Sequence, residues 1–182
     1  MQISKKLLNL IGKWFNISDV GQKVAEIVKS NPESGKIPMK CMGTVNHTID
    51  AKGRTTVPVK FREALGEGFV VTKGLDKCLW MLDAQRWEEI ENALSQLPMT
   101  LPAARQMQSF LIGSACEGEM DKQGRLLLPE NLREYAGLSK DVVFSAVGSR
   151  IEIWDKARFK ARDEEMDITE AALALEEKGF RL

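Results

Sequence analysis

The chain predicts an α+β fold made of two copies of one ββαββ unit, each with a trailing helix. The first observation behind this is a short motif that occurs twice, as Asp50-Ala-Lys-Gly-Arg54 and again as Asp121-Lys-Gln-Gly-Arg125. The second is that the flanks repeat in register: Pro58 with Pro129, Arg62-Glu63 with Arg133-Glu134, Gly66 with Gly137. After a one-residue slip the echo continues from Asp83 to Asp155, Arg86 to Arg158 and Trp87 to Phe159. The third is hydrophobic periodicity, which switches between strand and helix spacing in the same order in both copies. A repeat of this length means two supersecondary units folding against each other, so whatever the motif does is done in pairs.

Bulk properties narrow the function classes. At 182 residues, 43% hydrophobic and 29% charged, the chain has the composition of an ordinary globular protein and can bury an adequate core without staples. Lysine plus arginine and aspartate plus glutamate both number 26, giving a net charge of zero. That balance argues against a uniformly basic nucleic-acid binder and leaves a local basic patch as the relevant quantity. Cys41, Cys78 and Cys116 are widely spaced and form no Cys-x-x-Cys pair, so they read as reduced, mostly buried thiols of a cytosolic protein. The single histidine, His47, removes most imidazole-based catalytic and metal designs. No run approaches the ~20 apolar residues that span a bilayer.

Along the chain, Ile3, Leu7, Leu10, Ile11 and Trp14 fall at helical spacing, with Lys5, Lys6 and Lys13 on other faces. A second helix is predicted from a cap at Ser18 or Asp19 through Val20, Val24, Ile27 and Val28. The turn formers of 30–38 read as a linker. The first unit then begins with a strand over 43–49, and Asp50 to Gly53 forms a turn in which the acid accepts backbone N–H bonds and the glycine supplies a positive φ. Arg54 to Val57 is the second strand, and Pro58 opens a helix that runs through Phe61 and Leu65 to Gly66. Strands over 69–72 and 78–82 follow, across a turn at Gly74 and Asp76. Asp83 caps an amphipathic helix that turns Trp87, Ile90, Leu94 and Leu97 inward.

A connecting helix over about 102–112 leads to the second unit: strand 114–120, turn 121–124, strand 125–128, helix 129–136, and strands 142–147 and 150–154. Asp155 caps a charged helix, and a last helix is predicted over about 169–178. Trp80, Trp87 and Trp154 read as core. Four short strands can neither close a barrel nor cover their own edges. Two copies related by a pseudo-twofold can interleave into a small closed barrel that carries both turns symmetrically.

The chemistry at the repeated turn centres on Lys52 and Arg54, and on Lys122 and Arg125. An arginine leaving a tight glycine turn has a fixed Cα direction and a planar fork of donors, which suits phosphate clamping or bidentate reading of guanine. A purely structural alternative has each Asp pair with its own Arg and cap the turn; the two are compatible. Paired aspartates across a pseudo-twofold also occur in aspartic proteases, but there the acids share a proton. Here Lys and Arg beside Asp50 and Asp121 keep both ionised. No glycine-rich phosphate loop, nucleophile elbow or His-Glu-x-x-His occurs, so neither catalytic residues nor a cofactor are indicated. Glu117, Glu119 and Asp121 alternate along a strand and read as a solvated face rather than a metal site.

These residues resemble the MraZ family of bacterial transcriptional regulators, relatives of the AbrB/MazE swapped-hairpin DNA-binding fold. The resemblance is carried by Gly43, His47 to Arg54, Val57-Pro58 and Phe61-Arg62. In the second half it is carried by Ile112 to Ala115, Met120-Asp121-Lys-Gln-Gly-Arg125-Leu126, Pro129, Leu132-Arg133, Ala136 to Leu138 and Ile153-Trp154-Asp155. It implies a swapped-hairpin, double-psi-like β-barrel with flanking helices, in which 39–98 and 114–165 are SpoVT-AbrB-like halves, 99–113 connects them and 166–182 is a C-terminal helix. It further implies a non-enzymatic, ring-shaped homo-oligomer in the cytoplasm, associated with the nucleoid. The partner would be double-stranded DNA, at direct repeats in the promoter of the division and cell-wall gene cluster, including its own gene. No membrane partner is implied. By motif match Arg54 and Arg125 become the leading DNA contacts with Lys52 and Lys122 in support, while Asp50, Gly53, Asp121 and Gly124 organise the turns. The alternative on the same fold is an antitoxin-like or scaffolding module that binds a protein. Residues 1–38 have no counterpart in the family pattern: either translation starts at Met39 or the segment is an added amphipathic arm.

Overall fold

The computed structural model describes residues 41–66, 68–176 and 179, so the expectations for 1–38 lie outside the described residues. The order is β1 (Cys41–Thr48), β2 (Arg54–Thr56), α1 (Val59–Leu65), β3 (Phe69–Lys73), β4 (Leu79–Asp83), α2 (Ala84–Ser95) and α3 (Pro102–Leu111). The second half follows with β5 (Cys116–Gly118), β6 (Arg125–Leu127), α4 (Glu130–Ala136), β7 (Asp141–Gly148), β8 (Ile151–Asp155), α5 (Lys156–Glu165) and α6 (Ile168–Glu176). The fold is α+β, and all of its strand pairs are antiparallel.

The two halves interleave. A six-stranded sheet runs β1-β7-β8-β4-β3-β5, and β2 pairs with β6 in a separate two-stranded ribbon. Exchanging each strand for its counterpart in the other half returns the same order reversed. β1 therefore pairs with β7 as β5 pairs with β3, and β4 with β8, and β2 with β6, cross between halves. A pseudo-twofold thus passes between β4 and β8 and through the ribbon.

Closure is where the ladders differ from expectation. Among the described residues β1 and β5 are each paired on one side only, and no ladder closes the sheet into a barrel. β5 is also shorter than the strand predicted over 114–120. Its last residue, Gly118, lies against the Phe69 ring, where a Cβ would overlap ring carbons, and Met120 makes only an isolated bridge to Leu126.

The core lies where α1 and α4 meet the sheet and the ribbon. Val57, Phe61 and Leu65 of the first half and Leu128, Leu132 and Ala136 of the second occupy equivalent repeat positions, all buried in one cluster with Val71, Leu79, Met81, Phe144, Ile151 and Ile153. The equivalent positions differ in size, Phe61 for Leu132 and Leu65 for Ala136, yet all four are buried. A smaller cluster joins Cys78, Val143 and Trp154 to Trp80 and Phe159. Of the tryptophans expected in the core, only Trp154 is buried; Trp80 and Trp87 are half-buried. α2 likewise carries no fully buried residue, because it lies against the outer face of β3 and β4 and beside α3.

Helix α5 is fixed at its start by Asp155, whose carboxylate accepts from the amides of Ala157 and Arg158 and from the hydroxyl and amide of Ser139. Farther along it, Arg162 lies 3.6 Å from the buried Glu152 carboxylate, which also pairs with Arg150 at 2.7 Å and accepts from Trp154 Nε1 at 2.9 Å. A carboxylate this deep needs such partners, since an unpaired buried charge is strongly destabilising.

Candidate nucleic-acid interface

Each repeated motif folds into the same turn. Asp50 accepts at Oδ1 from the amides of Lys52 (2.8 Å) and Arg54 (3.0 Å), and its carbonyl accepts from Gly53 N at 2.9 Å. Asp121 does the same with Gln123 (2.9 Å), Arg125 (3.0 Å) and Gly124 (2.8 Å). The chain reverses at Gly53 (φ 78°) and Gly124 (φ 75°), a left-handed conformation that costs glycine little and other residues more. This is the turn the sequence predicts, down to the acid accepting backbone N–H bonds.

The second carboxylate oxygen takes the arginine. Arg54 Nε donates to Asp50 Oδ2 at 2.8 Å with Nη2 at 2.7 Å, and Arg125 Nε donates to Asp121 Oδ2 at 2.7 Å. The amide and guanidinium bonds from Arg54, and the Lys52 amide, hold the Asp50 carboxyl down to about 2. Asp121 is lowered by the corresponding bonds from Arg125 and Gln123. Two carboxylates so committed do not share a proton.

Ribbon register then sets where the arginines point. Arg54 pairs with Leu127, Thr55 with Leu126 and Thr56 with Arg125. Residues directly opposite share a face. Thr55 and Leu126 are buried on the inner face, so Arg54, Thr56, Arg125 and the exposed Leu127 all lie on the outer one. Arg54 and Arg125 are diagonal neighbours across that face, a relation that separates them by roughly 7–8 Å. Their side chains are 33% and 36% accessible, neither sequestered nor at opposite poles of the molecule. Lys52 and Lys122 sit exposed on the turns at the two ends of the ribbon. The four basic positions singled out in the sequence thus belong to one short ribbon and its flanking turns.

Two further arginines join them. Arg62 of α1 packs against Gly124, the turn glycine of the opposite half, so closely that a Cβ there would overlap its guanidinium carbon. Arg133 of α4 lies in the equivalent place on Gly53, where a Cβ would be 2.9 Å from Nε. Arg62 Nε donates to Val57 O at 2.7 Å and Arg133 Nε to Leu128 O at 3.0 Å. The in-register repeat of Arg62-Glu63 in Arg133-Glu134 was the available signal for them. Among the described residues, no group of three or more His, Cys, Asp or Glu side chains could hold a metal ion, and no helix is long and apolar enough to cross a membrane.

The model of the family described as "MraZ protein, putative antitoxin-like" matches the chain twice, over residues 41–110 and 111–177. This chain belongs to the MraZ family. Among curated MraZ relatives, each named a transcriptional regulator, the protein of Desulfitobacterium hafniense is 55% identical over 116 residues, covering 64% of this chain and 81% of its own length. That of Caldanaerobacter subterraneus subsp. tengcongensis is 45% identical over 141 residues, covering 78% of this chain and 99% of its own. That of Acetivibrio thermocellus is 45% identical over 132 residues, covering 72% and 92%. Both MraZ family matches begin just before a copy of the Asp-x-x-Gly-Arg turn and run through it.

Proposed function

We propose that this MraZ-family chain is a sequence-specific DNA-binding transcriptional regulator, not an enzyme, and that its paired turns are the DNA-reading surface. The observation that carries this is Arg54 and Arg125 side by side on the outer face of one ribbon, flanked by Lys52 and Lys122. The side-on bond to aspartate holds each guanidinium in a fixed plane and leaves its end-on Nη edge for a partner. That edge has the bidentate geometry that reads guanine O6 and N7. The lysines add phosphate contacts, which position the protein without specifying sequence. The target on this reading is a set of direct repeats in the promoter of the division and cell-wall gene cluster, its own gene included, in the nucleoid of the cytoplasm.

The interleaved strand pairing supports a swapped-hairpin architecture of the AbrB/MazE type, with 39–98 and 114–165 as the two halves, 99–113 joining them and 166–182 as a C-terminal helix. Among the described residues the edges β1 and β5 are paired on one side only, and such edges offer ladder groups of the kind that pair with another chain. They support assembly into a ring, in which many copies of a small basic ribbon give avidity to a protein with no net charge.

Arg54→Ala and Arg125→Ala should each weaken binding to promoter fragments recovered by genomic pulldown by about 1–3 kcal/mol, the value of a good bidentate pair, with the circular dichroism spectrum unchanged. Wild-type affinity in both variants would reduce the turn to a structural device. A second reading, a protein-binding antitoxin-like module, is favoured by the wording of the matched family and by the exposed Ile168, Leu173 and Leu175 of α6. Affinity that is flat in salt would select it over DNA binding, which falls steeply as salt rises.

A further inference from the structure

Resting on the reading of the ribbon as a duplex-binding surface, we propose that Arg62 and Arg133 are a second pair of phosphate contacts, each serving the turn of the opposite half. Arg54 and Arg125 are committed to Asp50 and Asp121. Arg62 and Arg133 have no carboxylate partner among the described residues; each donates only from Nε, to a backbone carbonyl. Both are half-buried, so the aliphatic stem is held while the charge has no carboxylate partner among the described residues. The Nε bond fixes the plane of the fork and leaves the Nη donors for an oxyanion, a geometry a lysine cannot copy.

Placement strengthens the assignment. Each guanidinium rests directly on a turn glycine, in space that any other residue would fill with its Cβ. The turn of 121–124 thus carries Lys122, Arg125 and, on its glycine, Arg62, with its one carboxylate bonded to the Arg125 side chain; the turn of 50–53 carries Lys52, Arg54 and, on its glycine, Arg133, with its carboxylate bonded to the Arg54 side chain. The arginine arrangement is built twice from different halves of the chain, while the lysine stands one position earlier in the second turn. A surplus of cation over carboxylate at two points on one ribbon suits the two backbones that flank a groove, because phosphates are charged and regularly spaced whatever the bases between them.

The test is fluorescence anisotropy with a labelled duplex carrying the repeats of the recovered promoter fragment, and with a scrambled duplex of the same composition, across a salt series. Arg62→Gln with Arg133→Gln should lower affinity for both duplexes by the same factor, roughly tenfold or more per arginine. The slope of log affinity against log salt should become shallower by about 0.9 per arginine. Arg54→Ala with Arg125→Ala should instead erase the preference for the promoter duplex. A glutamine variant that retains the wild-type slope overturns the proposal, whatever its affinity, and makes these arginines braces only. If the glutamine variants fail to fold, Arg62→Lys with Arg133→Lys decides. The wild-type slope with several-fold weaker binding to both duplexes supports the contact, and wild-type affinity overturns it. Wild-type protein that binds neither duplex in a salt-dependent way overturns the functional reading itself, a result distinct from either of these.

Discussion

Asp50 and Asp121 show how much one side chain can organise. Each collects two backbone amides and its own arginine, so the same carboxylate that closes the turn also aims the guanidinium. Because the Asp50 pKa in the fold is depressed from the ordinary 3.8 to about 2, its contribution to stability is complete above the unfolded value and disappears as pH falls through the folded one. Asp50→Asn should therefore be less stable than wild type at pH 5, with the gap in melting temperature narrowing toward zero as pH drops to about 2. A gap that stays constant over that window would mean the ionised carboxylate is not what holds the turn. The turn was legible in the sequence because acid, glycine and arginine act within five consecutive positions. Arg62 and Arg133 were not, although their repetition was visible, since what they touch depends on the β2–β6 register and that register is a long-range property.

Helix starts and stops were legible for the same local reason. Asp83 and Asp155 cap α2 and α5 as their spacing predicts, and Gly66 and Gly137 end α1 and α4 at positive φ. The two aspartates are not equal, however. Asp83 accepts one helix amide, at 2.8 Å, whereas Asp155 accepts two and also ties the Ser139 loop to α5. Asp83→Ala should cost about 1 kcal/mol, the usual value of a lost cap. Asp155→Ala should cost about 2–3 kcal/mol once the Ser139 bonds are added. Urea denaturation of both variants measures the difference, and equal midpoints would mean the Ser139 bonds contribute nothing. Where elements departed from expectation, tertiary context decided. α2 has the amphipathic pattern of a buried helix, but it meets the body along a shallow contact, so Trp87, Ile90, Leu94 and Leu97 stay half-covered.

For the whole molecule the decisive fact is that neither half owns a sheet. Apart from the β3–β4 and β7–β8 hairpins, every ladder joins one copy of the unit to the other. The core is shared in the same way, with Val57 and Phe61 in one cluster with Leu128 and Leu132. A fragment ending at residue 113 should therefore not give a folded monomer: by circular dichroism and size-exclusion chromatography it should be either largely unstructured or a dimer that supplies the missing strands to itself. A compact, cooperative monomer would contradict the interleaving. The pseudo-twofold was foreseeable from the repeat, while the strand order was not, since the repeat alone does not say which copy each edge prefers. That order has one further outcome. Two identical units brought together about a twofold axis would present the same face whichever way round a partner approached. Here the units are covalently fused and their turns differ, Ala51-Lys52 in one and Lys122-Gln123 in the other. The ribbon therefore has a head and a tail, so that on the proposed reading a ligand with polarity would meet different side chains in its two orientations.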